Sequence, residues 1–348
     1  MKNVIERRVL IMSKAVLEVN NLMTSFFTDN GEVAAVDDVS FHVNEGEILG
    51  IVGESGCGKS VTSLSVMGLV PKPPGKIVGG EILYKGEDLT KASEKRMREI
   101  RGNDITMIFQ EPMTSLNPLF TIGDQIMETI RLHNKWNKRQ IRERAIEILE
   151  LVGLPRANEL INEYPHQLSG GMRQRVMIAM AMVCNPQLLI ADEPTTALDV
   201  TIQAQILKLM KQLNKDYNTA IMMITHDLGV VAEVCSRIVV MYAGKVVEEG
   251  DIETIFKNPK HPYTVGLIKS VPDMRKKVER LYSIPGNVPK PGSIKEGCRF
   301  AARCEHAFER CMTESPKLHQ VSGGQKVRCF LHEQEQQLDS NKQGVVSV

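Results

Sequence analysis

The segment GESGCGKS, residues 53–60, places three glycines, a lysine and a serine between an apolar run and a predicted helix. Glycines let several backbone N–H groups turn inward around phosphate oxygens, and a helix that begins near Lys59 adds the positive end of its dipole. Lys59 would reach the β- and γ-phosphates, while the Ser60 hydroxyl would bind Mg²⁺. The pattern indicates a nucleotide-phosphate site, but a phosphate loop alone does not distinguish ATPases, GTPases and kinases.

Two carboxylates follow a second apolar run, in LLIADEP at residues 188–194. Asp192 is placed to hold Mg²⁺ directly or through water, as acidic residues after the second strand of phosphate-loop enzymes do. Because successive side chains of a strand point to opposite faces, Glu193 would approach the γ-phosphate and polarise a water molecule. Two solvated carboxylates at a strand end are the alternative, which the presence of a phosphate loop disfavours.

A second candidate anion site lies in LSGGMRQR, residues 168–175. Ser169, Gly170 and Gly171 precede a predicted helix that runs to about Cys184, and the N-terminus of a helix attracts anions. The chain would then have two phosphate-binding helix starts, which few nucleotide-binding folds need. An ordinary serine N-cap followed by two glycines is the alternative interpretation.

Apolar periodicity predicts the elements that position these segments. Short apolar runs bounded by turn signals indicate strands before the phosphate loop, and QLLIAD, TAIMMIT and RIVVMY indicate buried strands after it. At about 115–167 the period is helical, and one predicted helix face carries Ile141, Ala145, Ile148 and Val152. The alternation of strands and helices predicts a largely parallel sheet covered by helices.

Composition limits the possible classes of protein. With 348 residues the chain is too long for one compact core, so we expect two domains or one domain with additions. A formal net charge of +1 argues against a non-specific nucleic-acid binder. No apolar run has bilayer length and the N-terminus lacks a signal peptide, so we expect a cytoplasmic protein that reaches a membrane only through a partner. Seven cysteines without a secretion signal argue against a disulfide framework.

The motifs occur in a recognisable order: GESGCGKS, Gln110, LSGGMRQR, LLIADEP, TALD and His226. In this order the chain resembles ATP-binding cassette (ABC) transporter ATPases over about residues 15–250. The resemblance implies an α/β fold, a phosphate-loop ABC ATPase with a mixed β-sheet, a helical subdomain at about 115–184 and a small cysteine-containing C-terminal region. It also implies a head-to-tail dimer with two ATP molecules, each between the phosphate loop of one cassette and the LSGG helix of the other.

The same resemblance assigns roles to single residues. Four residues are expected to be catalytic: Glu193, His226, Gln110 and Lys59. His226 would bind the γ-phosphate and orient Glu193, and Gln110 would sense Mg²⁺, the attacking water and the membrane partner. The expected Mg²⁺ ligands are Ser60, Gln110 and Asp192.

The nucleotide itself is expected to contact a larger set. A ring before the first glycine-rich segment stacks on adenine in this family; Phe26 is the favoured candidate and Phe27 the alternative, with core packing open for either. Ser169 and Gly171 would contact the γ-phosphate held by the opposite subunit, and Asp199 would cross the dimer interface. The full predicted set is Phe26, Gly53, Glu54, Ser55, Gly56, Cys57, Gly58, Lys59, Ser60, Val61, Gln110, Ser169, Gly170, Gly171, Asp192 and Asp199.

Three further segments narrow the resemblance: EPMTSLNP, HPYTVGLIKSVP and IPGNVPKPGSIKEGCRFAARC. They resemble the ATPase subunits of bacterial dipeptide and oligopeptide permeases. The implied function is transport-coupled ATP hydrolysis in an importer, peripheral to the cytoplasmic face of the cell membrane. The implied partners are a second ATPase in a heterodimer, two membrane permease subunits and, indirectly, an extracytoplasmic peptide-binding protein, with no nucleic acid. Nickel or other small-solute importers, and a soluble ABC-type ATPase with a regulatory metal region, stay open.

Four of the cysteines have the spacing C-x5-C-x6-C-x17-C: Cys298, Cys304, Cys311 and Cys329. Four thiolates without histidine suit Zn²⁺ or an iron–sulfur cluster, although no tight C-x2-C pair is present. Scattered thiols are the alternative. Related permease ATPases can carry a 4Fe–4S cluster at this pattern, so that cluster is expected, with Zn²⁺ as the alternative. Adjacent arginines are expected to offset the thiolate charge: Arg299, Arg303, Arg310 and Arg328.

The domain organisation predicted from these observations has four parts. Residues 1–14 form an N-terminal extension, 15–250 the ABC nucleotide-binding domain, 251–335 a C-terminal region with the four-cysteine cluster, and 336–348 a disordered tail.

Overall fold

The computed structural model describes residues 14–110, 115–196, 198–271 and 282–333. The predicted N-terminal extension lies outside this part of the chain except for residue 14, and the predicted disordered tail at 336–348 lies wholly outside it. Among the described residues, no helix combines the length and apolar character needed to cross a bilayer.

The described strands and helices follow in the order β1 (Ala15–Thr28), β2 (Gly31–Asn44), β3 (Ile48–Val52), α1 (Lys59–Val66), β4 (Gly75–Tyr84), β5 (Glu87–Asp88), α2 (Glu94–Ile100), β6 (Ile105–Ile108), α3 (Ile122–His133), α4 (Lys138–Leu151), α5 (Ala157–Leu160), α6 (Gly170–Met182), β7 (Leu188–Asp192), α7 (Val200–Tyr217), β8 (Ala220–Thr225), α8 (Leu228–Val234), β9 (Arg237–Tyr242), β10 (Lys245–Asp251), α9 (Ile252–Lys257), α10 (Pro262–Ser270), α11 (Glu309–Thr313), β11 (His319–Gln320) and β12 (Lys326–Val327). Short 3₁₀ turns lie at Leu89–Lys91, Pro165–Gln167, Ala301–Arg303, Ser322–Gly324 and Phe330–His332. The strands predicted from QLLIAD, TAIMMIT and RIVVMY are confirmed as β7, β8 and β9.

A sheet of eight described strands, in the order β11-β12-β10-β9-β3-β8-β7-β6, forms the centre of the fold. The strands from β9 to β6 run parallel, whereas β10, β12 and β11 pair antiparallel at one edge. In β3, Ile48 and Val52 enter one core while Leu49 and Ile51 enter the other. Both faces of the parallel centre are therefore buried, which explains its continuous apolar runs. The sheet is mixed, as the resemblance implied.

The second sheet is antiparallel, with the described strands in the order β2-β1-β4-β5. Its inward side chains, Val19, Phe41 and Ile82 among them, share a core with Leu49 and Ile51 of β3. This packing holds the hairpin of β1 and β2 beside the loop that follows β3.

The helical segment between β6 and β7 covers the other face of the central sheet. The predicted apolar face of α4 and its C-terminal end is confirmed, because Ile141, Ala145, Ile148 and Val152 are all buried in one core. Asn137 caps α4 by accepting hydrogen bonds from two backbone N–H groups of its first turn. A well-packed helical layer is thus attached to the sheet at the strands that carry the candidate site.

The C-terminal region joins the central sheet rather than forming a separate layer. Strand β12 pairs antiparallel with β10, with Glu248 opposite Val327 and Glu249 opposite Lys326. Tyr242, at the end of β9, packs against Tyr263 and Phe300 with ring centroids 4.6 Å and 5.2 Å away. Strand pairing with β10 and aromatic packing on β9 therefore connect this region to the central sheet.

Three of the four cysteine-adjacent arginines bind carboxylates of the cassette. Arg299 pairs with Asp37, Arg303 with Glu54 and Arg328 with Asp38. The fourth, at position 310, pairs locally with two glutamates of its own region. Partly buried ion pairs with the cassette therefore orient the first three guanidinium groups. That the arginines offset thiolate charge stays a prediction.

Candidate functional site

The phosphate loop follows β3, which is buried along its whole length. Gly53 and Gly58 have φ values of +154° and +100°, which favour glycine. A Cβ atom would lie 2.2 Å from the Met241 carbonyl oxygen at Gly53 and 2.6 Å from the Ala35 carbonyl oxygen at Gly58. Backbone conformation and close packing therefore both explain why the motif has glycine at these two positions.

Lys59 is the first residue of α1, and its side chain folds back over the loop. Its Nζ atom donates hydrogen bonds to the carbonyl oxygens of Gly53 at 2.6 Å and Glu54 at 3.1 Å, and the residue is 6% exposed. The first N–H groups of α1 point toward the same loop, because Gly58 is the N-cap residue. Lysine and helix terminus together concentrate positive charge where phosphate is expected.

Asp192 ends β7 beside the phosphate loop and is 4% exposed. Burial raises the pKa of its carboxyl group, and a hydrogen bond from the Ser60 hydroxyl offsets only part of this effect. Its Oδ1 atom has no hydrogen-bond partner among the described residues. A buried carboxylate oxygen beside a hydroxyl fits Mg²⁺, whose charge would favour the ionised carboxylate.

Glu193 lies outside β7, which ends at Asp192. The alternation of side chains along a strand, from which we expected Glu193 and Asp192 to point apart, therefore does not apply to Glu193. Its φ of +49° turns the chain into a left-handed conformation directly after Asp192. Its backbone N–H donates to the Ile224 carbonyl oxygen at 2.8 Å, which fixes this turn against β8. The turn, rather than the pleat of a strand, separates the two carboxylates.

Three side chains surround the Glu193 carboxylate. Gln110 Nε2 donates to Oε2 at 3.0 Å, Thr196 Oγ1 donates to the same oxygen at 2.8 Å, and His226 Nδ1 lies 3.1 Å from Oε1. Burial opposes the charged form, but the hydrogen bonds from His226 and Thr196 outweigh it and hold the pKa of Glu193 below its ordinary value. The structure thus brings together predicted residues from the ends of β6, β7 and β8.

A pocket of about 410 Å³ lies over the phosphate loop. Among the predicted residues it is lined by Phe26, Ser55, Gly56, Gly58, Lys59, Ser60, Val61, Gln110 and Glu193. Phe27 is 49% exposed and does not line this pocket, so the geometry favours Phe26 as the stacking ring. The other predicted loop residues, Gly53, Glu54 and Cys57, do not line the pocket, and burial raises the pKa of the Cys57 thiol.

Sequence reasoning missed four residues that line the same pocket: Thr28, Val33, Ala35 and Pro291. The first three belong to the β1–β2 hairpin. Its alternating apolar residues predicted strands but gave no indication of a contact with the nucleotide. Pro291 comes from the Pro/Gly-rich segment of the C-terminal region, and a Cβ at the next residue, Gly292, would lie 3.4 Å from Cα of Val33. No local signal in the sequence indicated this long-range contact.

Ser169, Gly170, Gly171 and Asp199 do not line this pocket. Ser169 is the N-cap of α6 and accepts a hydrogen bond from the Met172 N–H, so the helix begins at Gly170 rather than after Gly171. Asp199 is likewise the N-cap of α7 and accepts from the Ile202 N–H at 2.9 Å. Within one chain, the structure does not bring the two predicted phosphate-binding helix starts together.

The four C-terminal cysteines surround one small cavity of about 20 Å³, with Phe300 among the other lining residues. Burial raises the pKa of three of their thiols, that of Cys329 to about 11, which favours the neutral form. In the described part of the chain, no group of three or more His, Cys, Asp or Glu side chains is arranged to hold a metal ion. The donor chemistry fits a soft metal, but the ligand arrangement expected for a metal centre is not assembled.

The chemistry available at the pocket is phosphoryl transfer to water. Lys59 and the start of α1 supply positive charge, Asp192 and Ser60 supply hard oxygen ligands, and Glu193 supplies an ionised carboxylate. Such sites act mainly by positioning and by charge neutralisation.

Comparison with protein-family models finds two adjacent matches. The ABC transporter model matches residues 36–196, and the model for the oligopeptide/dipeptide transporter C-terminal region matches residues 247–311. The first match contains the phosphate loop, Gln110, LSGG and the two carboxylates. The second contains the first three of the clustered cysteines.

Curated relatives resemble the chain over nearly its whole length. The oligopeptide transport ATP-binding protein AppD of Bacillus subtilis (strain 168) is 54% identical over 92% of this chain and 97% of that protein. The dipeptide transport ATP-binding protein DppD of Escherichia coli (strain K12) is 50% identical over 90% of this chain and 96% of that protein.

Solved structures resemble the cassette portion. The dimeric structure of MJ0796, a bacterial ABC transporter cassette, superposes with a TM-score of 0.61 at 29% identity and covers 68% of this chain and 98% of that chain. A post-hydrolysis state of the same cassette bound to ADP and Pi also gives a TM-score of 0.61, at 28% identity and the same coverage.

The hydrogen bond from Thr196 to Glu193 predicts a pH effect. Replacing Thr196→Val removes a donor that favours the ionised carboxylate, so the pKa of Glu193 rises and the acidic limb of the ATPase pH profile moves to higher pH. Near neutral pH the rate falls within about fivefold, since one hydrogen bond contributes about 1 kcal/mol net. The exposed Thr201→Val on α7 serves as the control. An acidic limb that coincides in both variants would contradict this assignment.

Proposed function

This chain belongs to the ABC transporter ATPases that carry an oligopeptide/dipeptide transporter C-terminal region, and on that basis we propose that it powers a bacterial importer of dipeptides or oligopeptides. The chain is an ATPase. The observation that carries its catalytic assignment is the Glu193 carboxylate beside the phosphate loop, which Gln110, Thr196 and His226 contact and whose pKa the last two help to hold low.

The chain's own residues divide the work of hydrolysis. Glu193 accepts a hydrogen bond from the attacking water and thereby polarises the O–H bond of that water, while His226 keeps the carboxylate oriented. Lys59 exchanges its loop carbonyl partners for β- and γ-phosphate oxygens. Asp192 and Ser60 would hold Mg²⁺, with Gln110 as a third ligand, and the ion would supply charge neutralisation at the phosphates. Phe26 stacks on the adenine ring.

A second cassette completes each site in this proposal. Ser169, Gly170 and Gly171 do not line the pocket of their own chain, and a head-to-tail partner would place its equivalent residues against the γ-phosphate. Asp199 and the neighbouring Val200, which is 83% exposed, would lie at this dimer interface. The related cassette MJ0796 was solved as a dimer, which supports the arrangement. We expect the partner in the cell to be a different ATPase of the same family.

The names of the relatives support the remaining proposed partners. Curated relatives are named as oligopeptide and dipeptide transport ATP-binding proteins, which supports peptides as cargo. The chain would then bind two membrane permease subunits, lie peripherally at the cytoplasmic face of the cell membrane and depend indirectly on an extracytoplasmic peptide-binding protein. The proposed units are a cassette at 15–250, with its helical subdomain at about 115–184, and a C-terminal region at 251–335.

Uptake in cells distinguishes the proposed cargo from nickel. Cells that lack this chain should lose uptake of labelled di- and oligopeptides and keep nickel uptake. The wild-type chain should restore peptide uptake, whereas Lys59→Ala should not, because it removes the phosphate-binding ammonium. The control is an exposed substitution, Thr201→Val, which should restore uptake fully. Loss of nickel uptake with unchanged peptide uptake would replace the peptide assignment.

We also propose that the four C-terminal cysteines hold a 4Fe–4S cluster, with Zn²⁺ as the alternative. Their position around one cavity supports a shared ligand, and binding would draw the thiols closer together as thiolates. The cluster would stabilise a region with little regular structure of its own and would take no part in hydrolysis.

Metal analysis after anaerobic purification tests this cysteine site. We expect iron and acid-labile sulfide in equal amounts, with visible charge-transfer absorption. Cys304→Ser should lose both, because it removes one of the four thiolates, while Cys184→Ser, which alters a thiol outside the region, should retain both. A colourless protein with one zinc would select the alternative ion, and a metal-free protein would refute both.

A further inference from the structure

Glu54, the second residue of the phosphate loop, is held by the C-terminal region. Arg303 forms a two-pronged ion pair with its carboxylate, with Nη1 2.7 Å from Oε2 and Nη2 3.1 Å from Oε1. Such forked pairs fix orientation as well as charge. The arginine side chain is 5% exposed and that of Glu54 is 30% exposed, so water screens this pair only partly.

The guanidinium group of Arg303 is itself fixed from several directions. Its Nε donates to the Pro285 carbonyl oxygen at 2.8 Å, its Nη1 also reaches the Tyr242 hydroxyl, and its Nη2 also reaches the Ile284 carbonyl oxygen. Its five N–H donors therefore match five acceptor contacts in a planar fork. A lysine ammonium has three donors and cannot reproduce this pattern.

Tyr263 holds the backbone of the same loop residue. The Glu54 N–H donates to the Tyr263 hydroxyl at 2.9 Å, and Tyr263 is fully buried against Tyr242 and Phe300. The Glu54 carbonyl oxygen accepts from Lys59 Nζ at 3.1 Å. The side chain and N–H of Glu54 are thus bound to the C-terminal region, while its carbonyl is bound to the phosphate-binding lysine.

We propose that Arg303, supported by Tyr263, is a positioning residue for ATP binding: it holds Glu54 and thereby sets the shape and charge of the phosphate loop. Without this arginine, an unpaired carboxylate would lie in a loop that must bind a polyanion, and Glu54 would be held to the C-terminal region only by its backbone hydrogen bond to Tyr263. The inference rests on the proposed phosphate-binding role of the loop.

Nucleotide affinity tests the proposal in the full-length protein. Arg303→Gln should raise the Kd for Mg·ADP, measured by calorimetry, and the KM for ATP roughly tenfold, because it leaves the Glu54 carboxylate without its charged hydrogen-bond partner. The kcat value at saturating ATP should change much less, because Arg303 contacts none of the reacting atoms. Arg303→Lys should resemble Arg303→Gln rather than the wild type.

Arg328→Gln is the matched control. Arg328 also joins the C-terminal region to the cassette by an ion pair: its side chain is 7% exposed and its Nη2 lies 3.1 Å from Asp38 Oδ2. Asp38 does not line the pocket over the phosphate loop. If both ion pairs were purely structural, Arg303→Gln and Arg328→Gln would lower the melting temperature similarly and would have similar nucleotide affinities. We expect the melting temperature to fall in both variants, with Kd and KM changed only for Arg303→Gln.

A second substitution separates charge pairing from general damage. In a Glu54→Gln background, replacing Arg303→Gln should change Kd by less than about twofold, because coupled residues are non-additive. A wild-type Kd for Arg303→Gln, or the same tenfold loss in the Glu54→Gln background, would overturn the proposal. If the wild-type chain bound no Mg·ADP, the proposed function of the loop would fail instead, so the two failures are distinguishable.

Discussion

Two adjacent carboxylates at the end of β7 must serve different purposes, and the left-handed turn at Glu193 makes this possible. Asp192 stays within the buried strand, where burial raises the pKa of its carboxyl and one oxygen has no hydrogen-bond partner among the residues that the structure describes. Glu193 is turned toward Gln110, Thr196 and His226, whose contacts include those that hold its pKa low. Environments that shift neighbouring titratable groups in opposite directions are characteristic of divided catalytic roles. Here one carboxylate is suited to a metal ion and the other to a water molecule.

The parallel centre of the sheet explains why these groups meet. Strands β6, β7, β8 and β3 are parallel neighbours, so their carboxyl ends lie at one edge. Gln110 follows β6, Asp192 ends β7 with Glu193 directly after it, His226 follows β8 and the phosphate loop follows β3. The antiparallel sheet adds Phe26, and the C-terminal region adds Pro291 to the pocket lining. The C-terminal region is therefore part of the nucleotide site's surroundings as well as an appendage to the cassette.

Local motifs predicted much of this site, because residue type and spacing within a few positions carry the chemistry of phosphate loops and strand ends. The turn at Glu193 was not predictable, since a non-glycine residue with positive φ leaves no sequence signal. The pairing of Arg303 with Glu54 joins residues 249 positions apart and depends on how the C-terminal region packs. Three of the arginines beside the cysteines show the same limit: adjacency in sequence indicated the thiols, whereas their ion pairs with distant carboxylates left no local signal.

The most direct measurement compares ATP binding and ATP hydrolysis in Glu193→Gln, which keeps the shape of the side chain and removes its charge. The account predicts an ATP affinity within about twofold of wild type, because Lys59, Ser60 and the loop are unchanged, and a fall in turnover of at least about a hundredfold, the usual contribution of a positioned general base. Turnover equal to that of the wild type, at unchanged ATP affinity, would contradict the assignment of Glu193 and the division of roles between the two carboxylates.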